Sequence, residues 1–203
     1  MPEKKKTKAK AEERITEEIK ETPKQPPYKV LFLASECVPF VKTGGLADVA
    51  GSLPQSLAAN GDRVSVILPL YQSVADAWRD RLHFERYTYV RLAWRSLYCG
   101  LFSYERQGVT WYFVDNEQYF KRPELYGYYD DGERFAFFCR AVTELLPLLP
   151  EKPDVVHCND WQTALVPVYL NLYYRHLDKF NRIKTIFTIH NIAYQGKYGT
   201  DIL

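Results

Sequence analysis

The sequence KTGGLADVAGSLP at residues 42–54 decides the fold. It follows an apolar run at residues 30–34 (VLFLA), typical of a buried parallel strand, and it leads into a predicted helix over 45–60. A strand, a glycine pair and a helix in this order aim backbone N–H groups and the positive end of a helix dipole at an anion. The pattern predicts a site for a phosphate-bearing ligand at the carboxyl end of the first strand, although glycine pairs also occur in ordinary turns.

Three residues of this stretch carry its chemistry. Gly44 and Gly45 lack a Cβ and let the backbone approach a ligand closely, and Lys42 adds a mobile positive charge beside them. The stretch lacks the third glycine of G-x-G-x-x-G and the Gly-Lys-Ser/Thr of a P-loop. It therefore does not indicate an ordinary NAD-binding or ATP-hydrolysing site.

Composition bounds the class of protein. The chain has 203 residues, of which 46% are hydrophobic and 26% charged, enough for one globular core. Residues 1–27 are rich in Lys and Glu and close with prolines, so we expect a disordered leader. The formal net charge of +2 comes from this leader, and the rest of the chain is balanced. We therefore expect no nucleic-acid partner.

Other sequence features bear on the cellular compartment of the protein. The four cysteines have no C-x-x-C spacing, which argues against a disulfide scaffold and favours a reduced, cytoplasmic setting. No apolar stretch approaches the roughly 18 residues of a membrane span, and the N-terminus has no hydrophobic signal region. We expect no membrane partner.

The remaining pattern predicts an α/β fold with a Rossmann-like, doubly wound, mostly parallel sheet. Residues 63–70 read as the second strand, and alternation over 82–115 predicts an antiparallel insertion whose last strand, 110–114, rejoins the main sheet. Helices are predicted over 133–149 and 161–175, and a further parallel strand over 184–190. Pro54 predicts a kink or early break in the helix over 45–60, and Asn60-Gly61 predicts its end.

Two acidic or histidine-containing stretches raise the question of a metal. In DVVHCNDW (154–161), consecutive strand residues point to opposite faces and no second ligand set is evident, so the plain interpretation is a core His157 and a helix-capping Asp160. The pair Asp130-Asp131 lacks the D-x-D spacing and precedes a turn glycine. We expect neither a metal nor a cofactor.

Three stretches together resemble one family. Ser35-Glu36 with KTGGLADV, the pattern His-x-x-Asp-Trp at 157–161, and FTIHNIAYQG at 187–196 are similar to signatures of bacterial glycogen synthases and plant-type starch synthases. At residue 162 this chain departs from the family pattern, with Gln where many bacterial enzymes have His. The Lys-Thr-Gly-Gly-Leu-Ala-Asp string argues against sucrose and trehalose-phosphate synthases.

The resemblance implies a retaining GT-B glucosyltransferase that moves glucose from ADP-glucose or UDP-glucose to the 4-hydroxyl of an α-1,4-glucan such as glycogen or starch. Residues 28–203 would then be an incomplete N-terminal catalytic domain, inactive without a nucleotide-binding half. The competing interpretation is a non-catalytic glucan-binding module or remnant. Both interpretations share the fold and the acceptor residues.

The resemblance also implies residue roles. His190, at the end of the last predicted strand, would be catalytic. The donor would be bound by Lys42, Thr43, Gly44, Gly45 and Asn191. The acceptor sugar would be bound by Glu36, Asp48, Tyr126, Asp160 and Trp161. These roles require Lys42 and His190 to lie at one edge of the sheet.

Overall fold

A computed structural model describes residues 27–199 of the chain, so the predicted disordered leader lies almost entirely outside the described residues. One seven-stranded sheet organises these residues, in the order β3-β4-β5-β2-β1-β6-β7. Its strands are β1 (Lys29–Leu33), β2 (Arg63–Pro69), β3 (His83–Leu92), β4 (Arg95–Arg106), β5 (Val109–Asp115), β6 (Val155–Asn159) and β7 (Lys184–Thr188).

Strand β1 lies at the centre of the parallel part of the sheet. It pairs in parallel with β2 on one side and with β6 on the other, and β5 and β7 extend these two sides. Strands β2 to β5 therefore lie on one side of β1, and the later strands β6 and β7 lie on the other. This creates a topological switch point between β1 and β6, where α/β sheets open a crevice at the carboxyl ends of their strands.

The predicted antiparallel insertion is confirmed. Strand β3 pairs antiparallel with β4, and β4 pairs antiparallel with β5. The last strand of the insertion then joins β2 in parallel, with Val64 opposite Val109. The sheet is thus the mixed, mostly parallel sheet that the sequence predicted, with the insertion forming one edge.

Five α-helices accompany the strands in the described residues. They are α1 (Gly45–Ala59), α2 (Gln72–Trp78), α3 (Glu117–Phe120), α4 (Asp131–Leu145) and α5 (Leu165–Tyr169). No helix within residues 27–199 combines the length and apolar character needed to cross a bilayer.

The predicted early break of α1 at Pro54 is wrong. The helix runs unbroken from Gly45 to Ala59, and Pro54 is buried on its core-facing side with Ala50 and Gly51. Proline removes one backbone hydrogen bond, but the apolar ring is packed in the core, so tertiary contact outweighs the local loss. The helix ends where Asn60-Gly61 predicted, with Gly61 at a φ of 104°.

The predicted continuous helix over 161–175 is also wrong. A 3₁₀ turn (Trp161–Thr163), α5 and a π-helical turn (Leu170–Tyr174) follow one another instead. Pro167 has no N–H for the carbonyl of Thr163, four residues earlier, and the helical register changes between these two residues.

The loop between β1 and α1 is anchored in the core by Phe40. The Phe40 ring is buried, and its centroid lies 5.0 Å from that of Phe113, 5.3 Å from Trp111 and 4.9 Å from Trp78. On the helix side, a Cβ at Gly51 would overlap the Val38 side chain and approach its carbonyl oxygen to 2.8 Å. The loop is therefore held tightly between the aromatic core and α1.

Candidate functional site

The candidate site lies along the carboxyl ends of β1, β6 and β7. These three strands are parallel neighbours, so the loops that follow them emerge at the same edge of the sheet. Lys42 belongs to the loop after β1, and His190 follows β7 by two residues. The structure therefore places both residues at one edge, beside the switch point.

Glu36 organises the loop after β1. Its carboxylate is buried and accepts hydrogen bonds from the Thr43 N–H, from the Thr43 hydroxyl at 2.8 Å and from the Gly44 N–H at 3.1 Å. Two N–H groups at the start of α1 therefore already face an internal anion. An external phosphate would meet them only if Glu36 moved.

Lys42 and Asp48 form an exposed ion pair at the mouth of the loop. The Lys42 ammonium donates to both carboxylate oxygens of Asp48 at 2.7 Å, and both side chains are at least half exposed. Such a pair contributes about 1 kcal/mol or less to stability. Because water surrounds the ammonium, it can leave Asp48 for a stronger anion at small cost.

The glycine pair leaves open space beside Lys42. Gly44 has an extended backbone (φ −145°), and a Cβ built on Gly45 meets no atom within 4 Å. Neither residue needs to be glycine for its backbone conformation or for packing within the described residues. The open space at Gly45 is therefore available to a ligand.

Tyr126 approaches the same loop from the segment between α3 and α4. Its hydroxyl lies 2.7 Å from the Ser35 hydroxyl, next to Glu36 in sequence. Burial raises the pKa of Tyr126, and the nearby Glu36 carboxylate raises it further. The phenol therefore stays protonated and remains a hydrogen-bond donor over the physiological range.

His190 is held by the turn that follows β6. Its backbone N–H donates to the Asp160 carboxylate at 2.7 Å, and its ring Nε2 lies 2.9 Å from the Asn159 Oδ1. Asp160 has a φ of 57° and a ψ of 178°, a positive-φ conformation that costs a non-glycine residue on the order of 1–3 kcal/mol. The predicted helix-capping role of Asp160 is wrong, because its side chain accepts from His190 and no cap hydrogen bond forms.

His157 lies in β6 as the sequence predicted, but it is half-buried and not a fully buried core residue. Its Nε2 lies 2.8 Å from the Thr188 hydroxyl, and its ring makes an edge contact with Phe32 at 4.8 Å. Burial, with a smaller contribution from His190, lowers the pKa of His157. The residue thus packs across β1, β6 and β7 in its neutral form.

Two other predicted site residues make contacts within the chain. The Asn191 side-chain oxygen accepts from the Ala193 N–H at 3.0 Å, which closes a local turn. The Trp161 ring packs edge-on against Phe135 at 5.1 Å, and a Cβ on Gly196 would overlap its indole. Sugar contacts by Asn191 and Trp161 stay predictions.

The segment carrying Tyr126 folds around a fully buried arginine. The Arg134 guanidinium donates to the carbonyls of Tyr119 at 2.7 Å and Leu125 at 3.2 Å and pairs with Asp131. Asp130 pairs with another arginine, Arg122, through contacts of 2.6 and 2.7 Å. Both acids that raised the question of a metal are thus in ion pairs, and residues 27–199 contain no cluster of three or more potential metal ligands.

Comparison with known proteins gives the family. The model of the starch synthase catalytic domain matches residues 29–203. The chain belongs to this family. Glycogen synthases of Geobacillus stearothermophilus and Clostridium botulinum (strain Eklund 17B / Type B) are each 51% identical over 86% of this chain, which corresponds to 36% and 37% of their own lengths.

A solved member of the starch synthases has the same fold. The catalytic domain of starch synthase IV from Arabidopsis thaliana, bound to ADP and acarbose, matches with a TM-score of 0.75 and 32% identity. The match covers 84% of this chain and 35% of that chain. The chain thus spans about a third of the length of its relatives in the starch synthase family.

Two residues of the site were missed by the sequence reasoning. Asn159 had no assigned role, yet its side chain contacts both Leu33 and His190. Arg134 lies in a helix rich in aromatic residues, and its spacing of three from Asp131 was the available signal for an ion pair. Asn159 contacts a residue 126 positions away, whereas the contacts of Arg134 reach at most 15 positions along the chain.

Proposed function

We propose that this segment forms the acceptor side and one wall of the donor site of a retaining glucosyltransferase. The reaction would move glucose from ADP-glucose, or from UDP-glucose, to the 4-hydroxyl of an α-1,4-glucan. One observation carries the proposal: the glycine loop with Lys42, after β1, and the loop with His190, after β7, emerge at the same edge of the sheet on either side of β6, next to the switch point between β1 and β6. This is where α/β sheets bind ligands.

The donor side would use charge and open space. When the glycosidic bond breaks, negative charge builds up on the departing diphosphate, and Lys42 would offset it after leaving Asp48. The uncrowded Gly45 would let the donor approach the start of α1. His190 would act as the catalytic-site histidine that holds the donor sugar, and Asn191 would contact sugar hydroxyls.

The acceptor side would lie around Glu36, Asp48, Tyr126, Asp160 and Trp161. Tyr126 remains protonated and supplies a hydroxyl donor, whereas Glu36 is engaged with Thr43 and Gly44. We therefore propose that Glu36 acts mainly by shaping the loop. Hydroxyl and carboxylate groups of this kind can orient an incoming sugar.

The names of the relatives support this assignment, but the match covers only part of the proteins that bear those names. The similar curated proteins are named glycogen synthase, and the starch synthase IV structure is described as bound to ADP and acarbose. This chain matches only about a third of their length. We therefore propose that transfer requires, in addition, a nucleotide-binding region outside residues 29–203, and that the 203-residue chain alone is inactive.

A chimeric enzyme tests the proposal directly. Residues 29–203 would replace the matching segment of Geobacillus stearothermophilus glycogen synthase, and radiolabelled ADP-glucose and UDP-glucose would each be offered with glycogen. We expect incorporation of label by the chimera and none by the isolated chain.

Two results would contradict parts of this proposal. A folded chimera that transfers from neither nucleotide sugar would contradict the transferase assignment, and glucan binding by that protein would favour the non-catalytic module. Measurable transfer by the isolated chain would contradict the need for a second region. The unmodified Geobacillus enzyme serves as the positive control.

A further inference from the structure

Asn159 connects the two halves of the candidate site. It is the last residue of β6 and is fully buried. Its Nδ2 donates to the Leu33 carbonyl of β1 at 2.9 Å and more weakly to the His157 carbonyl at 3.3 Å. Its Oδ1 lies 2.9 Å from the Nε2 of His190, beyond β7. One amide therefore joins the ends of β1 and β7 across β6.

The surroundings fix the orientation of this amide. The Leu33 and His157 carbonyl oxygens can only accept hydrogen bonds, so the amide NH₂ must face them. The amide oxygen must then face His190. Because that oxygen can only accept, the Nε2 atom of His190 must carry a hydrogen.

The protonation of one ring nitrogen determines the other. A neutral imidazole carries a single N–H, so a hydrogen on Nε2 leaves Nδ1 with a free lone pair. Within residues 27–199, no hydrogen bond to the Nδ1 of His190 is found, and the residue is exposed at the edge of the sheet. The Nδ1 lone pair is therefore free to accept a hydrogen bond from a ligand.

The backbone of His190 is fixed by the neighbouring residue. The Asp160 carboxylate accepts from the His190 N–H at 2.7 Å, and Asp160 holds a positive-φ backbone conformation with a φ of 57°. Asn159 and Asp160 thus contact the ring and the backbone of the same histidine. Strained conformations of this kind persist where the surrounding structure determines them strongly, often at functional sites.

We propose that Asn159 is a positioning residue that holds the His190 imidazole as the Nε2–H tautomer and presents Nδ1 as a hydrogen-bond acceptor. Under the proposed function, Nδ1 would accept from a hydroxyl of the donor sugar, and this last step rests on that function. The tautomer itself does not, because it follows from contacts within the chain. A residue that only tied β6 to β1 would need the bond to Leu33 and not the one to His190.

Nuclear magnetic resonance of the 203-residue chain tests the proposal without any activity assay. The chain has four histidines, and the ring signals of His190 are assigned by their loss in His190→Gln. Spectra of isotopically labelled ring nitrogens would be recorded at about pH 8, above the ordinary histidine pKa. We expect His190 to carry its hydrogen on Nε2, with a ring N–H signal slowed in exchange by its bond to Asn159.

Two substitutions at Asn159 separate positioning from general support. In Asn159→Ala we expect the slowed N–H signal to be lost and the two nitrogen shifts to move toward each other, as the ring becomes free to exchange tautomers. Asn159→Asp keeps an acceptor at this position, and we expect it to retain the Nε2–H tautomer. Thr188→Val is the matched control, because Thr188 contacts His157 and should change only that ring.

The wild-type spectrum alone can overturn the proposal. A neutral His190 protonated at Nδ1 would do so, as would unchanged His190 signals in a folded Asn159→Ala chain. If Asn159→Ala does not fold, the wild-type tautomer and Asn159→Asp still decide the question. Loss of transfer in the chimera with the Nε2–H tautomer intact would count against the proposed function and leave this inference standing.

Discussion

The loops after β1 and β7 emerge at the same edge of the sheet but are stabilised in different ways. The first follows a buried strand, carries the buried Glu36 and is anchored by Phe40 in the aromatic core. The second follows β7, a mostly exposed edge strand, and His190 is held by Asn159 and Asp160 of the β6 turn. Phe40 packing together with hydrogen bonds to the buried Glu36 shapes the first loop, whereas hydrogen bonds from the β6 turn hold His190 in the second.

The strongest test of this contrast is Glu36→Ala. It would remove the carboxylate that accepts from Thr43 and Gly44, and a hydrogen bond to a charged group contributes about 1.5–3 kcal/mol. We expect the free energy of unfolding to fall by roughly 3 kcal/mol, measured by urea denaturation of the 203-residue chain.

Glu36→Gln is the matched control for this change. It keeps an oxygen acceptor of similar size, so the loss of stability should be smaller than for Glu36→Ala. An unfolding midpoint of Glu36→Ala equal to that of the wild type would show that the carboxylate does not support the loop.

Lys42→Ala separates charge from structure in the same loop. Its exposed pair with Asp48 contributes little to stability, so the free energy of unfolding, measured by urea denaturation, should stay within about 1 kcal/mol of wild type. In the chimera we expect the rate of transfer at saturating donor to fall about a hundredfold, because the charge on the leaving diphosphate is no longer offset.

The control for Lys42→Ala is Lys121→Ala. Lys121 also forms an exposed pair, with Glu117, but it lies in the segment that follows α3. Its replacement should leave transfer unchanged. Equal transfer by Lys42→Ala and wild type would remove Lys42 from the donor site.

Gly45→Ala examines the open space at the start of α1. The new methyl group meets no atom within 4 Å, and alanine favours the helix over glycine, so stability should be kept or raised by up to about 1 kcal/mol. We expect transfer by the chimera to fall roughly tenfold, because a small displacement of the donor is costly.

Gly51→Ala provides the contrasting variant in the same helix. There the methyl group would overlap Val38, so the chain should lose stability in a urea titration. Full transfer activity in Gly45→Ala would show that no ligand occupies this space.

The sequence predicted the parts of the molecule that depend on local pattern. The strand, glycine pair and helix around residues 42–54, the alternation of the antiparallel insertion, and the parallel strand before His190 all follow from periodicity and turn residues. Parallel pairing then brings the β1 and β7 loops to one edge without further information. Pro54 misled the prediction because its burial is a tertiary effect.

The contacts within the site were beyond such reasoning. Asn159 and Leu33 are 126 residues apart, and no local pattern pairs them. Glu36 accepts hydrogen bonds from Thr43 and Gly44 across an irregular loop. The Asp160 side chain accepts from the His190 N–H, whereas the local sequence predicted a helix cap. No local pattern identifies the partner of any of these polar groups.

The smallest effect concerns His157, which lies in β6 between the two loops. Burial lowers its pKa below the ordinary value of 6.5, so the unfolded chain takes up a proton at a higher pH than the folded one. The contribution of neutral His157 is therefore fully present above about pH 6.5 and is lost as the pH falls toward the lowered pKa. In His157→Gln, the decrease in unfolding free energy between pH 7.5 and 5.5 should be smaller than in wild type, as measured by urea denaturation at each pH. Equal decreases in wild type and His157→Gln would mean that His157 takes up a proton in the folded chain as readily as in the unfolded one. The position of His157 in β6 would then not shield its ring from water.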